Sequence, residues 1–383
     1  MGPVESAPMN RGRRRRMAHA IGQPRYTARR FTGYKVQLIT HGAQTRRQMA
    51  NSWAKPSMIT LDRYLRTGQR IDPTLIVALE QVALAVKRIS NELAGAALKG
   101  ELGYSGAINV QGEEVEKLDT WSDNVFVDTF SGGAPVCTLI SEEMEEPRHF
   151  KAQCARYSYA VLYDPLDGSS NTDVNGALGT IFALRRRKPG HGDGIEDVLA
   201  AGSEQIAAGY GLYGPATMLV WTAGDGVNAF VLERGIGEFV LWREKIRMPE
   251  RGETYAINQA NAARWHPGAR ALLERLTGPK AKGGGYSLRY CGAFVGDFHR
   301  CLLNGGIFLY PGEVNAGGKS MGKLRLMYEV APLSMLAEQA GGAGSTGHGR
   351  ALEVVPGGIH ERVPVYIGSA EEVALAEQIK AEG

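Results

Sequence analysis

The stretch YAVLYDPLDGSSN (159–171) changes character twice within a few residues, and the order of those changes decides the fold class. The apolar run YAVLY reads as a strand buried on both faces. It ends in two acids, Asp164 and Asp167, separated by Pro165 and Leu166, and small hydrogen-bonding residues follow at once, Gly168-Ser169-Ser170-Asn171. Upstream, VCTLIS (136–141) runs in the same way into Glu142-Glu143. If the two strands are neighbours, four carboxylates meet at one end of a sheet. Their mutual repulsion would raise their pKa values unless cations sat among them. A donor set made only of oxygen, with no His or Cys, points to Mg2+ or Mn2+ rather than zinc.

Within DPLDGSSN, Pro165 predicts a stiff turn in which both aspartates face one point, with the Leu166 carbonyl between them as a further oxygen ligand. Gly168, Ser169, Ser170 and Asn171 are expected to present backbone N–H groups at a helix start, a favourable seat for a phosphate. Metal ions beside an anion cradle imply phosphoryl transfer to water. Asp-Pro-Leu-Asp-Gly alone would pass for an ordinary surface turn; the acids ending the preceding strand weigh against that reading.

Outward from this centre, strand and helix patterns alternate. Asp72 and Pro73 open a helix through PTLIVALEQVALAVKRISNELAGAAL (73–98), and the Gly-rich stretch 100–114 predicts a mobile loop. A second helix carries KLDTWSDNVFVDTF (117–130), and TIFALR (180–185) and TMLVWT (217–222) read as strands. VNAFVLE (227–233) and IGEFVLW (236–242) form a hairpin. Helices follow at 266–276 and 331–342, the second stopped by glycine. The pattern is that of a layered α/β protein.

The chain has 383 residues, 43% of them hydrophobic and 22% charged, as in a globular protein with no membrane-spanning run. The net charge of +4 hides an asymmetry. Residues 1–55 hold twelve of the 44 basic residues but one of the 40 acidic ones, so the tail carries +11 and the remainder −7. Residues 1–57 read as a basic, disordered N-terminal extension; a nucleic-acid arm and a targeting presequence are the competing readings. Cys137, Cys154, Cys291 and Cys301 show no CxxC spacing, so neither a zinc site nor a disulfide is expected, and Cys137 reads as a small buried apolar residue in a reducing cytoplasm.

SEE (141–143), DPLDGSSN (164–171), GTIF (179–182), AAGYGLYGPATMLV (207–220), GGIFLYP (305–311) and GKLRLMYE (322–329) resemble class I fructose-1,6-bisphosphatases, in the family's order, from about Ile59 to the end. The resemblance implies the α-β-α-β-α sandwich of the sugar phosphatases. It divides the chain into an N-terminal α/β subdomain over 58–245 with the metal site and a C-terminal one over 246–383 with the sugar and 6-phosphate contacts. It implies Mg2+-dependent hydrolysis of fructose 1,6-bisphosphate in gluconeogenesis or the Calvin cycle, with two or three Mg2+ ions per subunit that Mn2+ can replace. Glu142, Asp164, Asp167, Glu329 and the Leu166 carbonyl match metal ligands. Glu113 falls where the animal enzymes carry an aspartate in a loop closing over a third ion. Asp119 and Glu143 match the pair that orients and deprotonates the attacking water. Asp167, Gly168, Ser169 and Ser170 match the cradle of the departing 1-phosphate, and Asn258, Tyr290, Tyr310 and Lys323 match contacts to the sugar and its 6-phosphate, with Arg325 close enough to assist. Arg289 matches an arginine shared across subunits of a homotetramer.

Asn261 replaces one tyrosine of the 6-phosphate site, and Ser158 stands where AMP-inhibited members have a lysine beside the matching Tyr159 and Arg186. The interval between SEE and DPLDGSS holds only Cys154, so thioredoxin switching is not expected. Sedoheptulose 1,7-bisphosphate is the nearest alternative substrate, since one extra carbon changes a pocket little. A nucleic-acid-binding regulator with a retired site is disfavoured by the full set of ligands. The expected location is the cytoplasm.

Overall fold

In the computed structural model, which describes Gly2 and residues 58–383 apart from 68–70, 101, 109–113, 155–158, 188–194, 196–197, 281–283, 315–319, 380 and 383, the chain opens with helices α1 (Leu61–Thr67) and α2 (Pro73–Leu93). Asp72 accepts from Thr74 N at 2.8 Å with Pro73 in the first turn, the capped start its sequence predicts. The long helical pattern stops earlier than 98: Ala94 and Gly95 bond back to Ser90 and Glu92, and a separate short turn, α3 (Ala96–Lys99), ends at left-handed Gly100. An antiparallel pair, β1 (Tyr104–Ile108) and β2 (Glu114–Glu116), leads into α4 (Lys117–Ser131).

The main sheet comprises β3 (Thr138–Ser141), β4 (Arg148–His149), β5 (Tyr159–Asp167), β6 (Leu178–Arg186), β7 (Gln205–Tyr213), β8 (Thr217–Thr222), β9 (Val227–Glu233) and β10 (Glu238–Ile246), in the order β10-β9-β8-β7-β6-β5-β3-β4. A one-turn helix, α5 (Lys151–Cys154), lies between β4 and β5. β3 and β5 pair in parallel, so the Glu142-Glu143 and Asp164–Asp167 termini emerge side by side. The remaining neighbours are antiparallel, including the expected β9–β10 hairpin.

A second sheet follows. It is built from β11 (Thr254–Ala256), β12 (Ser287–Leu288) and β13 (Ile307–Tyr310), with α6 (Pro267–Thr277) and α7 (Phe294–Asn304) between them. Small ladders β14 (Glu313–Val314), β15 (Ser320–Met321) and β16 (Leu324–Arg325) precede a π-helical turn, Leu326–Val330, and α8 (Ala331–Gln339). β17 (Ala343–Ser345), β18 (Arg362–Val363), β19 (Val365–Gly368) and α9 (Ala370–Ile379) complete the chain, giving the sheet order β12-β11-β13-β19-β17.

Three apolar clusters stack these elements. Val82 and Val86 of α2 and Phe126 and Phe130 of α4 pack on Tyr163, Phe182 and Trp221 on one face of the large sheet. The alternate residues Ile181, Tyr210 and Val220 point the other way, onto Phe298 of α7 and Leu333 of α8, which also meet Phe308 and Ile367 of the second sheet. Leu272 and Leu276 of α6 and Val373 of α9 cover that sheet's far side against Ile307, Leu309 and Tyr366. The result is the α-β-α-β-α sandwich. Among the described residues, no helix is long and apolar enough to cross a membrane.

Two local expectations are corrected. Asp164-Pro165-Leu166-Asp167 is not a turn but the end of β5. Asp164 pairs with Ile181 and Asp167 with Gly179, so one strand advances three residues while its partner advances two. This one-residue bulge matters because acids three apart on a regular strand would face opposite sides; the extra residue restores parity. The second correction concerns cysteine: Cys137 and Cys154 are joined by a disulfide, with Cα atoms 4.5 Å apart. Cys137 is indeed buried. However, Phe150 N donates to the Cys137 carbonyl at 2.8 Å, and α5 then turns Cys154 back onto its partner. No spacing motif announces a contact made by a hairpin and one helical turn.

Candidate active site

Asp164, Asp167, Glu329, Glu142, Glu143 and Asp119 line one cleft of about 450 Å3, together with Leu166, Gly168, Ser169, Ser170, Tyr290, Tyr310, Lys323 and Arg325. The six acids come from four different devices. Asp119 sits in the first turn of α4, Glu142 and Glu143 follow β3, Asp164 and Asp167 flank the bulge of β5, and Glu329 lies in the π-helical turn. Ligand oxygens of Asp164, Asp167 and Glu329 lie within 4.8 Å of one another, and all three residues are buried.

The bulge is held from within and without. Leu166 N donates to Asp164 Oδ1 at 2.9 Å, and Thr180 Oγ1 donates to the Pro165 carbonyl at 2.8 Å. Asp167 is fixed by α7, whose first amides, Phe294 N and Val295 N, donate to its two carboxylate oxygens at 3.1 and 2.6 Å. Gly168 has φ 76°, and a Cβ there would come within 2.5 Å of the Ala293 Cβ. Only glycine lets the chain turn here against the start of α7. Ser169–Asn171 form a single 3-10 turn rather than the start of a longer helix, so the cradle consists of local amides without a macrodipole. Asn171 ties it to the facing loop by donating to the carbonyls of Ala177 at 3.0 Å and Cys291 at 2.9 Å.

Burial pushes the Asp164, Asp167 and Glu329 carboxyls well up, and Glu142 nearby adds to each shift. Glu143 is pushed up to about 8, by burial first and then by Asp119 and Glu142. Such a cluster holds protons tightly unless a cation replaces them. Buried carboxylates with an oxygen-only donor set therefore fit a hard divalent ion. Arg325 belongs with these acids: its Nη2 lies 2.8 Å from Glu142 Oε1 and its Nη1 4.0 Å from Glu329 Oε2. Its sequence position next to Lys323 suggests the retained phosphate; the structure directs it to the acids.

Tyr290, Tyr310 and Lys323 line the same cavity, as do Phe294 and Phe308. Asn258 and Arg289 are not among its lining residues. Asn258 caps the turn Gln259–Arg264 by accepting from Ala260 N at 3.2 Å, Asn261 accepts from Arg264, and Arg289 is exposed with Nη1 on the Leu288 carbonyl. Glu113 and Ser158 lie outside the described residues. Tyr159, beside Arg186 at 3.1 Å and Thr74 at 3.2 Å, sits away from the cleft.

Sequence reading missed α7. The apolar spacing of FVGDFHRCLL could have revealed a helix, but not that its amides would hold Asp167.

A layered α/β sandwich whose cleft combines buried acids with a lysine and two tyrosines suits a phosphate-ester hydrolase, and sequence comparison narrows the class. Residues 60–244 match the profile "Fructose-1-6-bisphosphatase, N-terminal domain" and residues 248–381 "Fructose-1-6-bisphosphatase, C-terminal domain". The chain is 46% identical to "Fructose-1,6-bisphosphatase class 1" of Nostoc punctiforme over 330 residues, covering 85% of this chain and 93% of that protein. It is 43% identical to the protein of that name in Nitratidesulfovibrio vulgaris, covering 84% and 98%. The crystal structure of Leishmania major fructose-1,6-bisphosphatase in holo form superposes with a TM-score of 0.79 at 37% identity, covering 85% of this chain and 99% of that one. The chain belongs to the fructose-1,6-bisphosphatase family.

Proposed function

We infer that the chain hydrolyses the 1-phosphate ester of D-fructose 1,6-bisphosphate, giving D-fructose 6-phosphate and phosphate. The observation that carries this reading is a single cleft lined by two unlike sets of residues: buried acids with a small-residue cradle, and Lys323 with Tyr290 and Tyr310. A substrate with two phosphates fits that asymmetry, because binding energy from the inert phosphate can position the reacting one. The names of the relatives support the same substrate.

Glu142, Asp164, Asp167, Glu329 and the Leu166 carbonyl would hold two Mg2+ ions, with Glu113 available to a third and Mn2+ able to substitute. Bound there, the ions supply charge neutralisation at the phosphoryl oxygens and a more acidic water. Asp119 and Glu143 hold and deprotonate the attacking water. Glu143 is suited to this by its place in the same cleft as Asp119 and the ligand carboxylates. The amides and hydroxyls of Gly168, Ser169 and Ser170 receive the transferred phosphate. Lys323, Tyr290 and Tyr310 hold the 6-phosphate end, and Asn258 and Arg289 belong to the same function at a greater distance. The exposure of Arg289 leaves it free to reach a neighbouring subunit's cleft, and by resemblance to the family the assembly is a homotetramer. On this reading the subdomain over 58–245 supplies most of the metal ligands and the one over 246–383 the sugar contacts, with Glu329 of the latter completing the acidic cluster. A sugar bisphosphate of gluconeogenesis or the Calvin cycle places the enzyme in the cytoplasm, where such charged metabolites are retained.

The test is phosphate release from fructose 1,6-bisphosphate and from sedoheptulose 1,7-bisphosphate, with and without Mg2+. Metal-dependent release from the fructose ester is expected; release only from the sedoheptulose ester would replace the substrate and keep the site.

A further inference from the structure

His360 is absent from the lining of the cleft, yet it touches two of the segments that shape it. Its Nδ1 lies 2.7 Å from the hydroxyl of Tyr328, and its Nε2 lies 2.9 Å from the carbonyl oxygen of Met144. A carbonyl only accepts, so Nε2 carries the ring proton and Nδ1 receives the tyrosine O–H. Both contacts are satisfied by this one tautomer of the neutral ring.

The two contacts join parts of the chain that nothing in the sequence connects. Tyr328 directly precedes Glu329 in the π-helical turn, and Met144 directly follows Glu142-Glu143 after β3. Tyr328 is fully buried, packed with Ile140, Leu162 and Met327, so its hydroxyl cannot seek another direction without opening that cluster. The turn holding Met144 is tied by Glu142 N to the Tyr163 carbonyl at 3.1 Å, by Glu143 N to Ser141 Oγ at 3.2 Å, and by a longer bond from Met144 N to the Ser141 carbonyl at 3.4 Å. The imidazole adds a direct link from this turn to the π-helical one. His360 is itself held by its neighbours: Leu326 N donates to the Glu361 carbonyl at 2.8 Å, and β18 pairs with β16.

We propose that His360 is a positioning residue for the metal-ligand set: its bridge between Tyr328 and Met144 acts beside Arg325, which contacts Glu142 and Glu329 directly, to fix the separation between Glu329 and the Glu142-Glu143 pair. Partners that orient ligating carboxylates typically carry about 10- to 100-fold in metal affinity. The inference rests on the metal reading above and adds a residue that touches neither ion nor substrate.

The experiment is a Mn2+ titration of the full chain, reading free Mn2+ by electron paramagnetic resonance, for wild type, His360→Ala, His360→Gln, Tyr328→Phe and the double variant. His360→Ala is expected to weaken Mn2+ binding about tenfold or more and lower kcat, with KM for the bisphosphate at saturating Mn2+ within about twofold. His360→Gln, which keeps an N–H donor for Met144, should recover part of the loss. Tyr328→Phe combined with His360→Ala should be no worse than His360→Ala alone, because both break one link. Unchanged Mn2+ affinity in His360→Ala, beside a wild type that binds, overturns the inference and leaves the metal site standing. A loss that follows the melting temperature and disappears on cooling also overturns it, reducing His360 to a fold contact. If His360→Ala does not fold, His360→Gln and Tyr328→Phe decide by the same readings. A wild type that binds no Mn2+ overturns the metal reading and this inference together.

Discussion

The two sets of residues lining the cleft are built by different rules. Asp164, Asp167 and Glu329 are 3%, 7% and 3% exposed, and come from a strand bulge and a π-helical turn seated in the core. Tyr290 is 37% exposed, and Lys323 is exposed on the short link before β16. The acids are buried and costly to keep charged; Lys323 and Tyr290 are open to solvent. The chemistry needs carboxylates fixed within fractions of an ångström, whereas an inert phosphate needs only enough binding energy to be held.

The strongest way to break this contrast is to remove one acid. Asp164→Asn should lower turnover by about three orders of magnitude or more in a phosphate-release assay; near-normal turnover would refute the ligand assignment. Glu143→Gln should cost about two to three orders of magnitude in kcat with little change in KM, as expected for a lost proton acceptor. In the other set, Lys323→Met should reverse that signature, raising KM about 10- to 100-fold while kcat stays within a few-fold.

A stability measurement sharpens the same comparison. The buried carboxyls bind protons more tightly folded than unfolded, because burial raises their pKa values. For Glu143 the stabilising contribution is therefore complete below the ordinary value of 4.5 and lost as pH rises through about 8. In EDTA, the melting temperature should fall over that interval, and saturating Mg2+ should flatten the decline. A pH-independent melting temperature in EDTA would show that the acids are not desolvated as described. The smallest effect belongs outside the cleft. Cys154→Ser removes a crosslink closing a 17-residue separation and should cost at most about 3 kcal/mol in urea unfolding, leaving kcat unchanged.

Legibility in the sequence followed the same divide. The acids were readable because charge at the end of a buried strand conflicts with folding alone, and that conflict is local. The bulge was not readable: Pro165 signals a turn, and whether the chain bends or bulges depends on the partner strand, here Thr180 reaching for the Pro165 carbonyl. The hold of Phe294 and Val295 on Asp167 spans 127 and 128 residues, so no window could contain it. The Cys137–Cys154 bond depended on a short hairpin and one helical turn that carry almost no periodic signal.

The main sheet ends at β4, two residues long, on one side and at β10 on the other, where Leu241 N is already bonded to the Ile59 carbonyl and the register shifts twice. Among the described residues, one border is thus too short and the other already partly engaged to present a long flat ladder. Strand-on-strand growth from this sheet is opposed at both of its sides.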